Sequence, residues 1–474
     1  MTLPLISSVQ IEQTAFQSVF LLKIQIMQFK ERWNNFPFQP GKIPFFYGWV
    51  ILVASTVGVL ASAPGQTMGV STFTDFLIDH IHISRTQIST AYMIGTVGSS
   101  FLLTWAGKQY DKFGARWTAI AASLLLAFVL LLLSQADHLV RLFVKDTESV
   151  IYSGFALAVM VFLFFLLRFS GQGVLTMVSR NMLMKWFIAK RGFVNGIASV
   201  LITLGFSIAP LTFDWLIHGT SWRYAWIIMS MGIGVVFMLI AFLFFRDNPE
   251  DMGMVPDGEK HRHRERNVTI RPFKQFSLSE ARKTLPFWLY SLPLAFYALY
   301  ITGFSFHLIS IFDQAGLDRE KALAVFIPIS FASVGISFFG GWISDRIKLK
   351  YLLYVFLAGE FIALYSLAKM NDGFYYYGFI VGHGMANGLY NVLMTVTWPR
   401  FYGRQNLGRI SGFVMSLIVF FSAMGPVLFS FSLTRLGSYS FASFFLAFFI
   451  FVLLILSYKG NNPQDKFEMD EQDE

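Results

Sequence analysis

The stretch that decides the fold reads Gly107-Lys-Gln-Tyr-Asp111-Lys-Phe-Gly114-Ala-Arg116, and it lies between two long apolar runs. A second stretch, Gly341-Trp-Ile-Ser-Asp345-Arg346-Ile-Lys348, stands at the corresponding place in the other half of the chain. Both stretches contain a glycine, three further residues, an aspartate and then cations. A repeat in matching surroundings predicts two structurally equivalent halves.

Apolar runs extend outward from both stretches. Of the 474 residues, 55% are hydrophobic and only 14% are charged, so the chain has more apolar surface than a water-soluble core can bury. A helix needs roughly 20 apolar residues to cross a bilayer. We therefore predict an all-α membrane protein with twelve transmembrane helices in two pseudo-symmetric six-helix halves. The predicted spans are 46–73, 86–106, 117–136, 150–177, 192–217, 224–245, 285–312, 321–343, 351–368, 374–399, 410–434 and 440–458.

The positions of the cations predict the orientation in the membrane. If both termini are cytoplasmic, 28 of the 37 lysines and arginines lie on the cytoplasmic side, as the positive-inside rule requires. The net charge of +9 is explained by these cations, so we expect no nucleic-acid partner. The predicted organisation is a cytoplasmic N-terminal segment 1–42, a first half 43–246, a cytoplasmic linker 247–284, a second half 285–458 and a cytoplasmic tail 459–474.

The N-terminal segment contains a mildly amphipathic stretch at 15–29 that is too polar to cross a bilayer. We expect this stretch to lie on the inner membrane surface. The alternative is that Met27 is the natural start, in which case the residues before it are not part of the working protein.

The duplicated stretches resemble a known signature. Residues 107–116 resemble the sequence between helices 2 and 3 of the major facilitator superfamily, and Asp345-Arg346 resembles its second-half copy. Arg168-Phe-Ser-Gly-Gln172-Gly173 is similar to the helix-4 motif of the same superfamily. The resemblance implies a secondary transporter whose duplicated stretches form a cytoplasmic gate. Asp111 and Arg116 are expected to join helix ends there, and the predicted gate residues are Gly107, Asp111, Gly114, Arg116, Gly341, Asp345 and Arg346.

Shorter segments resemble the branch that contains oxalate/formate antiporters and monocarboxylate transporters. They are Phe46-Tyr47-Gly48-Trp49, residues 246–258 and Phe287-Trp288. This resemblance implies a small organic anion as substrate. Oxalate exchangers of the branch have cations in helices 8 and 11, whereas 326–339 and 410–433 contain no lysine or arginine. The difference argues against oxalate and against a dicarboxylate held between two cations.

Polar side chains inside the apolar runs are candidates for binding substrate or protons, because such groups are costly in a bilayer. Arg168 and Gln172 are four residues apart in span 4. The arginine is expected either to bind a carboxylate through two hydrogen bonds or to anchor the helix to neighbouring carbonyl groups. In span 10, His383, Asn387 and Asn391 recur at four-residue intervals and therefore share one face.

Three further candidates lie in other spans. His307 is in the outer third of span 7, Gln66 follows the Pro64-Gly65 pair that interrupts span 1, and Glu360 is in span 9. A histidine beside the transport path suits proton coupling, and a purely structural contact is the alternative for His383. Glu360 is expected either to handle protons or to be a structural acid with a partner.

Several classes of protein lack support in the sequence. There is no phosphate-binding loop, metal cluster or catalytic triad, so we expect neither an enzyme nor a cofactor. The expected function is transport of a small, monocarboxylate-like organic anion by alternating access, through proton symport or anion exchange, in a monomer embedded in the lipid bilayer. An exporter of hydrophobic compounds and a transporter-like sensor that does not translocate its ligand are the alternatives.

Overall fold

The computed structural model describes residues 35–144, 146, 149–258 and 274–470. These residues are helical apart from short connections, and no strand occurs among them. Helices satisfy their backbone hydrogen bonds internally, which a segment crossing lipid must do. The predicted surface stretch at 15–29 lies outside the described residues.

Six spans form the first half. Span 1 consists of two helices, spans 2 and 3 form one bent helix, and spans 4 and 6 each contain a wider π-helical segment. Their bounds are Gly48–Ala61 and Thr67–Ile81 for span 1, Arg85–Ser134 for spans 2 and 3, Val150–Leu167, Arg168–Leu175 and Thr176–Trp186 for span 4, Arg191–Gly219 for span 5, and Trp222–Met231, Gly232–Phe237 and Met238–Phe244 for span 6.

Six further spans form the second half. Their bounds are Leu285–Gln314 for span 7, Arg319–Ala324 and Phe326–Ser344 for span 8, Leu349–Ala368 for span 9, Phe374–Phe401 for span 10, Leu407–Leu436 for span 11 and Ser440–Leu456 for span 12.

The predicted twelve-helix fold is confirmed. By length and composition alone, 10 helices of the described chain can cross a membrane, and one of them, Thr86–Ser134, contains two crossings. Span 10 completes the set of twelve. It is long enough to cross, but its polar face makes it less apolar than the other spans.

Two predicted boundaries were wrong. Residues 107–113 are helical rather than loop, and the chain turns at Gly114, whose φ of 81° favours glycine. Span 4 continues beyond residue 177 to Trp186, so Arg180 and Lys185 lie in a helix rather than in a connection. The helix can hold these cations because they contact protein rather than lipid. Lys185, for example, forms a buried ion pair with Asp247 at 2.9 Å.

The two halves meet along two pairs of spans, span 2 with span 11 and span 5 with span 8. At the end of the bundle where the linker between the halves lies, glycines allow the backbones of both pairs of spans to come close together. A Cβ added to Gly107 would lie 2.0 Å from the carbonyl oxygen of Gly408, and one added to Gly341 would lie 2.4 Å from that of Gly192. We call this end of the bundle the linker end and the opposite end the far end.

Candidate functional site

A cavity of about 480 Å³ lies between the two halves. Spans 1, 2 and 4 line it from the first half, and spans 7 and 11 line it from the second. Thr86 begins span 2 and Thr434 is near the end of span 11, so the cavity reaches toward the far end. Most of its polar groups are hydroxyls, among them Thr67, Ser89, Thr90, Thr302, Ser422 and Ser430.

Arg168 supplies the permanent charge of this cavity. Its side chain is only 1% exposed, and its Nη1 donates to the carbonyl oxygen of Gly65 at 3.0 Å. The guanidinium carbon lies 5.2 Å from the centroid of the Tyr92 ring, close enough for a cation–π contact. Among the described residues, Nε has no hydrogen-bond partner and no carboxylate forms an ion pair with this arginine.

Irregular backbone in two spans positions Arg168. A turn of 3-10 helix at Ala63–Gly65 interrupts span 1, as the Pro64-Gly65 pair predicts, and leaves the Gly65 carbonyl outside the regular α-helical ladder. Span 4 is π-helical over Arg168–Leu175, a conformation often found at functional sites. A Cβ on Gly65 would lie 2.8 Å from the Cα of Gly171, so glycine allows the two segments to cross closely.

The two predicted glutamines lie beside this crossing. Gln66 donates through Nε2 to Ser62 Oγ at 3.0 Å and to Thr176 Oγ1 at 3.4 Å. Gln172 Oε1 is buried without a hydrogen-bond partner among the described residues. Neither amide is hydrogen-bonded to Arg168 among the described residues, so its charge is not compensated by them.

His307 lines the cavity from the second half. Its Nε2 donates to the carbonyl oxygen of Pro426 at 3.1 Å, and its Nδ1 lies 3.3 Å from the hydroxyl of Tyr439. Pro426 is inside span 11, where its ring prevents the normal hydrogen bond to the preceding turn. The histidine thus links spans 7, 11 and 12 at the wall of the cavity.

His383 does not line this cavity. It is 2% exposed, its Nδ1 lies 2.7 Å from the Tyr300 hydroxyl, and the ring of Phe379 stacks on it at 5.5 Å. Asn387, one turn further on, accepts a hydrogen bond from Tyr297 at 3.0 Å and donates to Ser333 at 3.1 Å. The polar face of span 10 is therefore partly used in packing against spans 7 and 8.

Glu360 is also separate from the cavity. It is 0% exposed, and both carboxyl oxygens lack hydrogen-bond partners among the described residues. The expectation of a partnered structural acid is therefore wrong for the described part of the chain, while a role in proton handling stays a prediction.

Sequence reasoning missed Arg180. Its Nη2 donates to Asn391 Oδ1 at 3.1 Å and its Nη1 to Thr395 Oγ1 at 3.4 Å, so it joins span 4 to span 10 of the other half. The predicted end of span 4 placed this arginine in a connection. The available signal was the lack of glycine or proline between Gly173 and Gly192, because a helix can continue through such a stretch.

Two aspartates close the linker end. The carboxylate of Asp111 accepts hydrogen bonds from the backbone amides of Gly408 and Arg409, both at 2.8 Å, at the start of span 11. Asp345 accepts from the amides of Gly192 and Phe193 at 2.8 and 3.0 Å, at the start of span 5. We call these contacts the Asp111 latch and the Asp345 latch. Each joins one half to the other.

Burial has an electrostatic cost at the Asp345 latch. Loss of water raises the pKa of Asp345 above its usual value, although the two amides and the nearby Arg400 oppose the rise. The amides of a first helical turn have no partner within their own helix, and the positive end of the helix dipole favours an anion. The helix N-terminus therefore offsets part of the desolvation cost.

The remaining predicted gate residues have supporting contacts. Arg116 donates to the carbonyl oxygens of Phe245, at the end of span 6, and of Phe36, in the N-terminal segment, both at 3.1 Å. The guanidinium carbon of Arg346 lies 3.8 Å from the ring centroid of Trp342, four residues earlier in the chain. At the turn after span 2, a Cβ on Gly114 would approach Asp247 Cγ to 3.2 Å.

Comparison with known proteins identifies the class. The profile of the Major Facilitator Superfamily matches residues 55–426. The probable sulfoacetate transporter SauU of Cupriavidus necator is 23% identical over 390 residues, which cover 76% of this chain and 85% of that protein.

Solved structures agree with the fold. The proton:xylose symporter XylE, bound to 6-bromo-6-deoxy-D-glucose, aligns with a TM-score of 0.62 at 14% identity over 88% of this chain and 98% of its own. A variant of the E. coli fucose:proton symporter FucP aligns with a TM-score of 0.58 at 15% identity over 87% of this chain and 99% of its own. The family match, the twelve spans and the cavity between two halves together show that this chain belongs to the Major Facilitator Superfamily and is a multi-pass secondary transporter rather than an enzyme.

Proposed function

We propose that this protein transports a small organic anion with a carboxylate or sulfonate group, and that Arg168 binds that group. The observation that carries the proposal is the cavity between the halves, whose permanent charge is a buried arginine without a carboxylate partner among the described residues.

The argument rests on the cost of an unpaired buried cation. Removing an ion from water costs several kcal/mol unless an opposite charge or strong hydrogen bonds replace the hydration. At Arg168, one carbonyl oxygen and one aromatic ring provide part of that compensation. An anionic group entering the cavity would supply the rest, and the planar guanidinium suits a carboxylate or a sulfonate. A lipophilic cation, by contrast, would be repelled.

The relatives support the same class of substrate. SauU is described as a probable sulfoacetate transporter, and sulfoacetate is a small organic anion with both a sulfonate and a carboxylate. The segments that resemble monocarboxylate transporters point to small anions as well. Helices 8 and 11 contain no lysine or arginine at 326–339 and 410–433, so we propose that the second charge needed for a dianion comes from another span.

The two latches suggest the direction of the conformational cycle. We propose that the linker end is cytoplasmic and that the described state is open to the outside. Breaking the Asp111 and Asp345 latches would separate the starts of spans 11 and 5 from the opposite half. The cavity would then open toward the cytoplasm, as alternating access requires.

His307 is the preferred proton site in this proposal. It lines the same cavity as Arg168, from the opposite half, and an imidazole changes charge near physiological pH. A protonated His307 would add a second positive charge beside the anion and lose it when the proton leaves. Proton symport would follow from this linkage, because each ligand would strengthen binding of the other. Anion exchange without protons is the alternative form of coupling.

Transport by purified protein in liposomes tests the proposal. Acetate, lactate, formate and sulfoacetate are supplied outside, with a lipophilic cation and an uncharged sugar as comparison substrates. We expect saturable uptake of at least one anion, loss of that uptake in Arg168→Gln, and partial retention in Arg168→Lys, which keeps the charge. Uptake of the lipophilic cation with none of the anions would favour a hydrophobic-compound exporter. Ligand binding without flux would favour a sensor.

A further inference from the structure

Span 4 holds a second arginine, Arg180, on the linker side of the cavity. Arg180 follows Arg168 by 12 residues along span 4, in the direction of the linker end. Nη1 and Nη2 of Arg180 donate to Thr395 and Asn391 of the other half, while Nε is buried without a hydrogen-bond partner in the part of the chain that the structure describes. Arg180 and Asn391 are nevertheless both partly exposed, although they lie between the halves.

Two other cations of this chain have carboxylate partners. Lys185, five residues further along the same helix, has an ion pair with Asp247 at 2.9 Å. Arg223, at the far end, forms two hydrogen bonds to Asp137, both at 2.7 Å. Arg180 has only neutral acceptors, and no carboxylate of the described residues forms an ion pair with it. Among the described residues, the buried Arg246 also has only neutral acceptors, but they are backbone carbonyls on its own side of the molecule. Both acceptors of Arg180 are side chains of the other half, so they are lost when the halves separate.

We propose that Arg180 is a second anion-binding residue, which takes over the carboxylate or sulfonate of the substrate when the linker end is open. The inference rests on the proposed anion transport and adds to it a separate site on the cytoplasmic side. Asn391 and Thr395 belong to the second half, so opening of the linker end removes them from the guanidinium. The released N–H groups then face the opening and bind the anion in their place.

Two arginines on one helix also explain how a charged group can cross an apolar bundle. Arg168 binds the anion from the far-end cavity, and Arg180 binds it nearer the linker end. Each arginine would compensate the charge of the anion in its own part of the path, which lowers the cost of desolvation there. Closing the linker end restores the bonds from Arg180 to Asn391 and Thr395, and these bonds compete with the substrate for the same donors.

Side-specific kinetics of exchange in liposomes test this inference. The variants are Arg180→Gln, Arg180→Lys and, as a matched control, Asn181→Ala. Asn181 is the next residue of span 4 and also bonds across the halves, donating to Ser411 Oγ at 2.6 Å, but it is uncharged. The probe is acetate or sulfoacetate, whichever the wild type transports, and KM is measured separately with the probe at the far end and at the linker end.

If Arg180 binds the anion, Arg180→Gln raises the linker-end KM about tenfold or more, the loss expected for a charge-assisted hydrogen bond, and changes the far-end KM less than about threefold. Arg180→Lys restores most of the linker-end affinity, and Asn181→Ala leaves both KM values near wild type. The inference is overturned if Arg180→Gln and Asn181→Ala have the same effect, or if Arg180→Gln lowers only the maximal rate. A wild type that moves no anion would instead overturn the proposed function.

Discussion

Replacing Asp111 by asparagine removes the charge of one latch and leaves the fold of span 2 unchanged. In the wild type, Oδ1 and Oδ2 accept from the amides of Gly408 and Arg409, both at 2.8 Å. An asparagine has one carbonyl oxygen, so it can accept only one of these bonds. Its NH2 group would face the second amide, which is also a donor.

The structure allows the size of the effect to be estimated. A hydrogen bond to a charged group contributes about 1.5–3 kcal/mol, and an anion at a helix N-terminus gains roughly 0.3–1 kcal/mol from the dipole. Loss of one such bond and of the dipole interaction therefore weakens the closed linker end by at least about 2 kcal/mol. At about 1.4 kcal/mol per factor of ten, the ratio of closed to open molecules falls roughly 30-fold.

Accessibility of a buried cysteine measures this ratio. The chain has no cysteine, so Ser411→Cys introduces a single thiol at a position that is 4% exposed and lies at the contact between spans 4 and 11. We expect Asp111→Asn to raise the labelling rate of this thiol roughly 30-fold, provided that the linker end opens and closes faster than the thiol reacts. Turnover should fall severely, because the protein no longer closes the linker end, while binding affinity changes much less.

The control for this experiment is Asp214→Asn. Asp214 is an acid near the far end of span 5 whose side chain is 61% exposed. Equal labelling in both variants would indicate general destabilisation instead of a latch. Unchanged labelling in Asp111→Asn, or an equal loss of binding and turnover, would refute the reasoning.

His307→Gln should abolish proton-driven accumulation but leave anion exchange. His383→Gln changes a side chain outside the cavity, so it should lower thermal stability and leave the pH dependence of uptake unchanged. Uptake measured against external pH distinguishes the two variants. A single cysteine at the exposed Ser279 of the linker should react with an impermeant thiol reagent only after intact cells are permeabilised; labelling from outside would reverse the assigned orientation. Burial alone would raise the pKa of Asp137, but the hydrogen bonds from Arg223 hold this pKa below its usual value. The ion pair therefore stabilises the fold at neutral pH, and this contribution is lost as the pH falls through the lowered pKa. Asp137→Asn should therefore lower the free energy of unfolding by about 1–3 kcal/mol at neutral pH and by less in acid, as thermal denaturation at several pH values would show.

Much of the fold was predictable because lipid imposes simple local requirements. A crossing helix needs a continuous apolar run, so the number of spans can be read directly from the chain. The Pro64-Gly65 pair predicted the break in span 1, since proline and glycine disturb a helix wherever it packs. Predictions failed where helices continued through polar residues, at 107–113 and at Arg180, because a charged side chain ends an apolar run without ending the helix.

The candidate site was predictable only as a set of residue types. The sequence by itself determined a twelve-helix membrane protein in two halves, with Asp111, Asp345 and Arg168 as unusual charges. It could not show that Asp111 and Asp345 meet helix N-termini of the opposite halves, or that His307 faces the cavity while His383 packs against Tyr300. Those outcomes depend on how each helix is rotated and which span lies next to it. Contacts between residues far apart in the chain decide both, so only the tertiary structure could place the charges relative to one another.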